Sequence, residues 1–210
     1  MEDIILLGGG GHCKSVIDTI NSLGKYNIVG ILDIKDKKGS KIYNIEVIGT
    51  DDELINHYNN GVKNAFISLG SIGDTRVRRK LNDNIKNVGM TLPNIIDPTA
   101  ILPENIEIGE GNFIGKGVIL NSDVKIGVNC IINSGSIIEH DCIVDDYVHI
   151  APGSTLSGSV NIGSDSHIGT NSAIIQNIVI GENTIIGAGS VVVKDIGNNK
   201  KAYGNPCREV

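Results

Sequence analysis

Residues 137–162 read IIEHDCIVDDYVHIAPGSTLSGSVNI, and an aliphatic residue returns at every sixth position of this stretch. The same spacing continues without a break from Ile108 to Val192, where all 15 positions are Ile, Leu or Val. A six-residue period does not keep one residue type on one face of an α-helix, which turns about every 3.6 residues. Hexapeptide repeats instead predict short strands that wind into a parallel β-helix.

A second series lies two residues before the aliphatic one and contains small or β-branched residues, for example Cys130, Ser136 and Cys142. Residues two apart in a strand face the same side, so both series should point inward. The two cysteines are therefore expected to be buried and inert, which argues against a nucleophilic thiol. Glycine often follows the aliphatic residue, as at Gly109 and Gly163, and this predicts a turn in each hexad.

The first part of the chain alternates strand and helix patterns. Ile4–Leu7 is an apolar run followed by GGGGH at residues 8–12, then by helical spacing that ends at Gly24. Further strands are predicted near Ile28–Leu32 and Ala65–Leu69, with a capping box at Thr50 and Glu53 and a helix over 74–87. This pattern predicts a small parallel α/β domain over residues 1–96, and Asp97-Pro98 marks its junction with the repeats at 97–210.

Composition excludes several classes of protein. The 210 residues carry 18 Lys and Arg against 24 Asp and Glu, a net charge of −6, and contain two Phe and no Trp. Neither a phosphate-backbone binder nor a base-stacking platform is expected from this composition. The four cysteines form no CxxC pair, which predicts reduced thiols in the cytoplasm. The apolar run Ile4–Leu7 is too short for a signal peptide or a membrane span, so we expect no membrane association.

The glycine loop at residues 8–11 predicts ligand binding at a helix N-terminus, where backbone N–H groups point outward. It is not a dinucleotide fingerprint, because Cys13 and Lys14 stand where the G-x-G-x-x-G pattern needs glycine. A tight turn without a ligand remains an alternative. Asp33 follows the next strand, where it is either an acceptor for a sugar hydroxyl or a solvated loop acid.

Three histidines lie among the repeats. His149 and His167 each precede an aliphatic position, so they point outward, and they are 18 residues apart. If three hexads make one coil, their rings lie on neighbouring strands about 4.8 Å apart. His140 falls at a turn between Glu139 and Asp141. A carboxylate beside a histidine orients the ring and makes it a stronger general base.

With these motifs the chain resembles the bacterial hexapeptide-repeat sugar acetyltransferases that carry a small N-terminal Rossmann-like domain. That family includes UDP-4-amino-sugar N-acetyltransferases and sialic acid O-acetyltransferases. The resemblance depends on the GGGGH opening, the run Ile137–Asp141, the unbroken hexads and the C-terminal Gly204-Asn205-Pro206. It implies a left-handed β-helix of 18-residue coils and a homotrimer that binds acetyl-CoA between neighbouring helices.

The resemblance also implies roles for individual residues. His140 matches the general base, and Asp141 matches the carboxylate after it, where N-acetylating relatives often carry Glu. His149 matches a histidine near the acetyl carbonyl, and Gly158 a glycine whose N–H stabilises the oxyanion. Thr170 and Ala188 match residues that contact the pantetheine arm of acetyl-CoA. Positions that hold the nucleotide sugar match Gly10, Gly11, His12, Asp33 and Gly70.

The expected reaction is direct transfer of acetyl from acetyl-CoA, without a metal, to the amine of a UDP-4-amino-4,6-dideoxy sugar. His12 and His149 favour this branch over its alternative, O-acetylation of sialic acid or a related nonulosonate. A γ-type carbonic anhydrase shares the β-helix, but its histidine spacing is missing, since His140, His149 and His167 are separated by 9 and 18 residues. A non-catalytic trimeric scaffold is the other alternative.

Overall fold

The structure is a computed structural model that describes residues 1–210. It divides into two compact units, one formed by Met1–Ser71 and Thr75–Ile95 and the other by Ile72–Asp74 and Ile96–Val210. No helix in either unit has the length and apolarity needed to cross a membrane.

The first unit is an α/β domain built on a five-stranded sheet. Its strands are β1 (Glu2–Leu7), β2 (Tyr26–Leu32), β3 (Lys41–Ile42), β4 (Ile45–Gly49) and β5 (Asn64–Ile67). Its α-helices are α1 (Gly11–Leu23), α2 (Leu54–Asn59) and α3 (Arg76–Val88). The strand order is β3-β4-β2-β1-β5, and all neighbours are parallel except the β3–β4 hairpin. This hairpin was not predicted from the sequence.

Local sequence signals explain where these helices begin and end. Gly24 ends α1 in the left-handed conformation, with φ of 63°, and its N–H donates to the Ile20 carbonyl. The predicted capping box of Thr50 and Glu53 is present and opens a 3₁₀ turn, Asp51–Glu53, that leads into α2. The helix predicted over 74–87 is α3, two residues later at its start.

The second unit contains strands β6 to β23, most of them two residues long because a turn follows in every hexad. In chain order they are β6 (Ile95–Ile96), β7 (Glu107–Ile108), β8 (Phe113–Ile114), β9 (Ile119–Leu120), β10 (Lys125–Ile126), β11 (Ile131–Ile132), β12 (Ile137–Ile138), β13 (Ile143–Val144), β14 (His149–Ile150), β15 (Thr155–Leu156), β16 (Asn161–Ile162), β17 (His167–Ile168), β18 (Ala173–Ile174), β19 (Val179–Ile180), β20 (Ile185–Ile186), β21 (Val191–Val192), β22 (Lys201–Gly204) and β23 (Cys207–Glu209).

These strands form three sheets, which are the three faces of a parallel β-helix. The β12 face has the order β21-β18-β15-β12-β9, and the β13 face has the order β19-β16-β13-β10-β7. The β14 face has the order β23-β22-β20-β17-β14-β11-β8-β6. Paired residues are 18 apart, as in Ile131↔His149 and His149↔His167, so three hexads make one coil.

The interior of the β-helix contains both inward series. Its aliphatic residues are buried, and Cys130 and Cys142 are fully buried among them, as the sequence predicted. The buried serines donate hydrogen bonds to carbonyls of the next coil: Ser154 Oγ to Gly169 O at 2.8 Å and Ser166 Oγ to Gly181 O at 2.7 Å. These bonds satisfy polar groups that would otherwise be costly to bury.

The turns differ from the prediction based on glycine. Left-handed φ values recur every sixth residue, three positions after the aliphatic one, and most of these residues are Gly, Asn or Asp, for example Gly135 and Asp165. Glycines that follow the aliphatic residue serve another purpose. A Cβ on Gly163 would lie 2.7 Å from the Glu182 nitrogen. Glycine is needed there because successive coils approach so closely.

Candidate active site

His140 and Asp141 form a hydrogen-bonded pair on the surface of the β-helix. They lie in the turn between β12 and β13, where Asp141 has a left-handed φ of 61°. Asp141 Oδ2 lies 2.7 Å from His140 Nδ1, and the two side chains are 58% and 61% exposed. A carboxylate only accepts, so Nδ1 carries the proton and Nε2 of the neutral ring is available to accept another.

The same contact changes the basicity of the ring. The hydrogen bond that His140 donates to Asp141 raises the pKa of His140 above its ordinary value, with smaller Coulombic contributions from Asp141 and Glu139. An exposed imidazole with a raised pKa and one free ring nitrogen has the properties of a general base.

Gly158 lies against the ring of His140, one coil further along the chain. A Cβ at Gly158 would approach His140 Cε1 to 2.6 Å and Nε2 to 2.7 Å. No left-handed φ requires glycine here, so the requirement for glycine comes from the ring. The Gly158 N–H takes no part in the backbone ladder between coils, whereas its carbonyl accepts from the Asn177 N–H. This N–H is a donor beside His140 that is available to an oxyanion.

His149 and His167 point outward from the β14 face, as predicted, on paired strands. Their ring centroids are 4.8 Å apart, but the rings meet edge to face, with 73° between their planes. This arrangement is the one that aromatic quadrupoles favour over face-to-face stacking.

Asn133 contacts His149 and was not identified from the sequence. Its Oδ1 accepts from the Ser134 N–H at 2.9 Å, which directs Nδ2 toward His149 Nε2 at 3.5 Å. Because an amide nitrogen only donates, this contact favours the neutral tautomer of His149 with its proton on Nδ1. The 18-residue spacing places Asn133 just after β11, the strand paired with that of His149, but it does not specify the direction of the Asn133 side chain.

His167 is 8% exposed, and its Nδ1 is buried without a hydrogen-bond partner. Burial lowers the pKa of His167 below its ordinary value. The unfolded chain therefore binds a proton on this ring at a higher pH than the folded chain does. The resulting loss of stability begins as the pH falls through the ordinary histidine value of about 6.5.

Replacing His167 by Phe should make the fold more stable to acid. The variant keeps an aromatic ring against His149 but removes the titrating group and the unsatisfied nitrogen, for a gain of about 1 kcal/mol at neutral pH. Urea unfolding at about pH 7.5 and pH 5.5 measures both effects. A His57→Phe variant in α2 provides the matched control. An acid sensitivity equal to that of the wild type would contradict this account of His167.

The other residues matched to acetyl-CoA lie at a different corner of the coil. Thr170 and Ala188 are exposed and occupy equivalent positions of successive coils, just after β17 and β20. Their corner joins the β14 face to the β12 face. His140 and Gly158 lie at the corner between the β12 and β13 faces, which is opposite the β14 face that carries His149. Within one chain, these residues therefore form two groups that lie apart from each other.

In the first unit, the glycine loop lies at the carboxyl ends of the parallel strands. Gly8 has φ of 103°, and a Cβ there would lie 2.8 Å from Leu69 Cβ. Open space surrounds the Cβ positions of Gly10, which caps α1, and Gly11, which begins it. The helix N-terminus is therefore accessible to an anionic group.

Asp33 holds this loop in place. Its Oδ2 accepts from the Gly9 N–H at 2.6 Å and from Lys37 Nζ at 2.8 Å, and its Oδ1 accepts from the Ile34 N–H at 2.7 Å. Burial alone would raise the pKa of Asp33, but the bonds from Lys37, Ile34 and Gly9 lower it overall. The carboxylate thus orients the loop. A contact to a sugar hydroxyl would be a second role of Asp33.

His12 and Gly70 lie together beside the loop, since a Cβ on Gly70 would lie 3.4 Å from His12 Cβ. The neighbouring Arg78 is 1% exposed, and its Nη1 donates to the carbonyls of Ile67 and Leu69 at 3.3 and 2.5 Å. This buried guanidinium fixes the segment after β5 that carries Gly70.

The four cysteines are buried, and burial raises the pKa of the thiols of Cys13, Cys142 and Cys207. A raised pKa opposes formation of the thiolate that a nucleophile requires. No group of three or more His, Cys, Asp and Glu side chains is placed to hold a metal ion.

Both units match the models of known protein families. The model of the PglD N-terminal domain matches residues 3–85, and the bacterial transferase hexapeptide model (six repeats) matches residues 123–158 and 159–194. Perosamine N-acetyltransferase from Caulobacter crescentus, solved as a histidine-to-asparagine mutant in complex with CoA and GDP-perosamine, is 32% identical. The TM-score is 0.93, over 100% of this chain and 97% of that one. The chain belongs to the hexapeptide-repeat sugar acetyltransferase family.

Two further acetyltransferase-family structures are similar over their whole length. The acetyltransferase domain of PglB from Neisseria gonorrhoeae, in complex with acetyl coenzyme A, is 30% identical, with a TM-score of 0.90 over 100% of this chain and 99% of that one. WeeI from Acinetobacter baumannii is 25% identical, with a TM-score of 0.89 over 100% of both chains. No curated protein matches the sequence significantly.

These findings confirm the family and the fold class predicted from the sequence, a Rossmann-like α/β domain followed by a left-handed β-helix. The acetyltransferase family is also distinct from the carbonic anhydrase and the scaffold that the sequence left as alternatives.

Proposed function

We propose that this acetyltransferase moves the acetyl group of acetyl-CoA to the amino group of a nucleotide-linked 4-amino-4,6-dideoxy sugar. The observation that carries the proposal is the His140–Asp141 pair, an exposed base with Gly158 against its ring. The bound ligands of the perosamine enzyme, CoA and GDP-perosamine, support an amino sugar as acceptor. O-acetylation of a sialic acid would use the same base and has no comparable support.

His140 removes the proton. The acceptor amine attacks the thioester carbonyl as its proton passes to His140 Nε2, and Asp141 stabilises the imidazolium that forms. Negative charge on the carbonyl oxygen is met by the Gly158 N–H, with the ring of His149 as a further donor. The C–S bond then breaks, and CoA leaves as a thiolate that the imidazolium can protonate.

The first unit, within residues 1–96, holds the nucleotide sugar. Its strand order reverses beside β1, because β2 lies on one side and β5 on the other. Ligands of open parallel sheets bind at such a switch point, outside the carboxyl ends of the strands. Gly10, Gly11, His12 and Gly70 lie there, so the diphosphate occupies the N-terminus of α1, and Asp33 keeps the loop in position.

A homotrimer completes the acetyl-CoA site within residues 97–210. His140 lies at the corner opposite the face of His149, so a single chain cannot direct both at one acetyl group. In a closed ring with threefold symmetry, the His140 corner of one copy meets the β14 face of the next. Thr170 and Ala188 then contact the pantetheine arm at the edge of that face. We place the enzyme in the cytoplasm, where reduced thiols persist.

Thiol release from acetyl-CoA tests the proposal. The purified chain is offered a nucleotide-linked 4-amino-4,6-dideoxy sugar and, in parallel, sialic acid. We expect rapid release with the amino sugar and the N-acetylated sugar as product. Release with sialic acid alone would move the enzyme to O-acetylation. No release with either acceptor, together with no binding of acetyl-CoA in calorimetry, would overturn the proposed function.

A further inference from the structure

A recess in the first unit lies beside the glycine loop, and its lining includes Gly8 and Asp33. It has a volume of about 400 Å³ and begins at Gly8, after β1. Its apolar walls include Leu32 and Leu69, which end or follow the neighbouring strands. A nucleotide whose diphosphate lies at the N-terminus of α1 would have its nucleoside within reach of this recess.

The walls of the recess suit a flat ring. Ile34 and Val77 line it and are 63% and 56% exposed, so both present apolar surface to water. A heteroaromatic base covering both would remove this apolar surface from water. Aliphatic walls do not distinguish one base from another, so discrimination depends on the polar groups at the edge.

Three charged groups line the same recess. The Asp33 carboxylate already accepts from the Gly9 N–H, the Ile34 N–H and Lys37 Nζ, which leaves Asp51 and Lys80 to contact a ligand. Asp51 accepts one hydrogen bond, from Asn84 Nδ2 to its Oδ2 at 3.2 Å, and its Oδ1 accepts none. Lys80 forms no ion pair or hydrogen bond. The recess therefore offers a carboxylate that only accepts and an ammonium that only donates.

Guanine fits these groups better than uracil does. Its N1–H and N2–H₂ are adjacent donors, which a carboxylate binds in a bidentate manner, and its O6 accepts from an ammonium. Uracil has one N–H between two carbonyl oxygens, so a carboxylate facing it gains one bond and meets two like partial charges. Adenine places its amino group beside an acceptor nitrogen and also lacks the paired donors.

We propose that the recess binds the guanine base of a GDP-linked sugar, with Asp51 accepting from N1–H and N2–H₂ and Lys80 donating to O6. This inference rests on the proposed function and replaces the uridine nucleotide expected from the sequence. Specificity for the base then comes from Asp51, far along the chain from the glycine loop.

Calorimetric titration of the full chain with GDP and with UDP tests the assignment, without acetyl-CoA or sugar. We expect GDP to bind about tenfold or more tightly than UDP. Asp51→Asn should weaken GDP binding by about tenfold or more, because an NH₂ group then faces the donors of guanine, and should not weaken UDP binding. The exposed neighbour Asp52 provides a control, since Asp52→Asn makes the same change of charge outside the recess.

Three results would overturn the assignment: UDP binding as tightly as GDP, equal effects of Asp51→Asn and Asp52→Asn, or no binding of either nucleotide. Thiol release separates these failures from failure of the proposed function. A wild-type chain that acetylates an amino sugar while preferring UDP remains a sugar acetyltransferase and lacks only the guanine site.

Discussion

Replacing His140 by Ala is expected to lower kcat for acetyl transfer by about 10²–10⁴-fold, the usual contribution of a general base. The side chain is exposed, so its removal leaves the interior of the β-helix unchanged. Thiol release measures the rate, and calorimetry should show that acetyl-CoA still binds. A rate within a factor of a few of the wild type would remove His140 from the mechanism. His57→Ala, in α2, is the matched control.

The pH dependence of kcat/KM distinguishes a base from a structural residue at this position. Asp141 raises the pKa of His140, so in the wild type the base becomes neutral at a higher pH than an isolated histidine. Asp141→Asn should shift the acid limb to lower pH and also reduce the maximum rate, since the imidazolium loses its partner. The amine of the acceptor titrates identically in both enzymes, so the difference between their pH profiles reports the titration of His140.

Replacing Gly158 by Ala is expected to lower kcat by about 100-fold with little change in stability. The new Cβ would lie 2.6 Å from His140 Cε1, and the exposed ring would swing away to relieve the contact. Displacing a catalytic group by about 1 Å can cost this much in rate. The backbone of Gly158 needs no left-handed φ, so the alanine itself adds no strain.

Gly197→Ala controls for glycine replacement, because the nearest atom to its Cβ would be Lys200 Cε at 3.8 Å. Thermal unfolding and kcat measured for both variants separate the two explanations. If Gly158→Ala retained full activity, the ring of His140 would not need its present position. If it unfolded at a much lower temperature than Gly197→Ala, the glycine would be structural.

Much of the fold follows from local patterns. The hexads predict the strands, the inward residues and the 18-residue pairing of His149 with His167, since alternation along a strand fixes which face a side chain takes. The turns were predicted less well, because the sequence does not show which position in a hexad takes the left-handed conformation. Glycine after the aliphatic residue looked like a turn signal, but it reflects the close approach of the next coil.

The candidate site likewise has some features that could be predicted from the sequence and others that could not. His140 and Asp141 are neighbours in the chain, so their pairing could be predicted, and so could the glycine loop after β1. Contacts between distant residues could not be predicted. Asn133 beside His149 and the recess that joins Asp51 to Lys80 depend on side-chain directions that no spacing specifies.

The sequence by itself determined the β-helix and its period, and it predicted His140 as the base, because each of these depends on residues within one or two hexads. The tertiary structure alone decided that Gly158 lies against the ring of His140, that Asp33 holds the glycine loop, and that His140 and His149 lie on opposite sides of the coil. The physical reason is that periodicity fixes direction along a strand, whereas turns and the stacking of coils fix which distant residues meet.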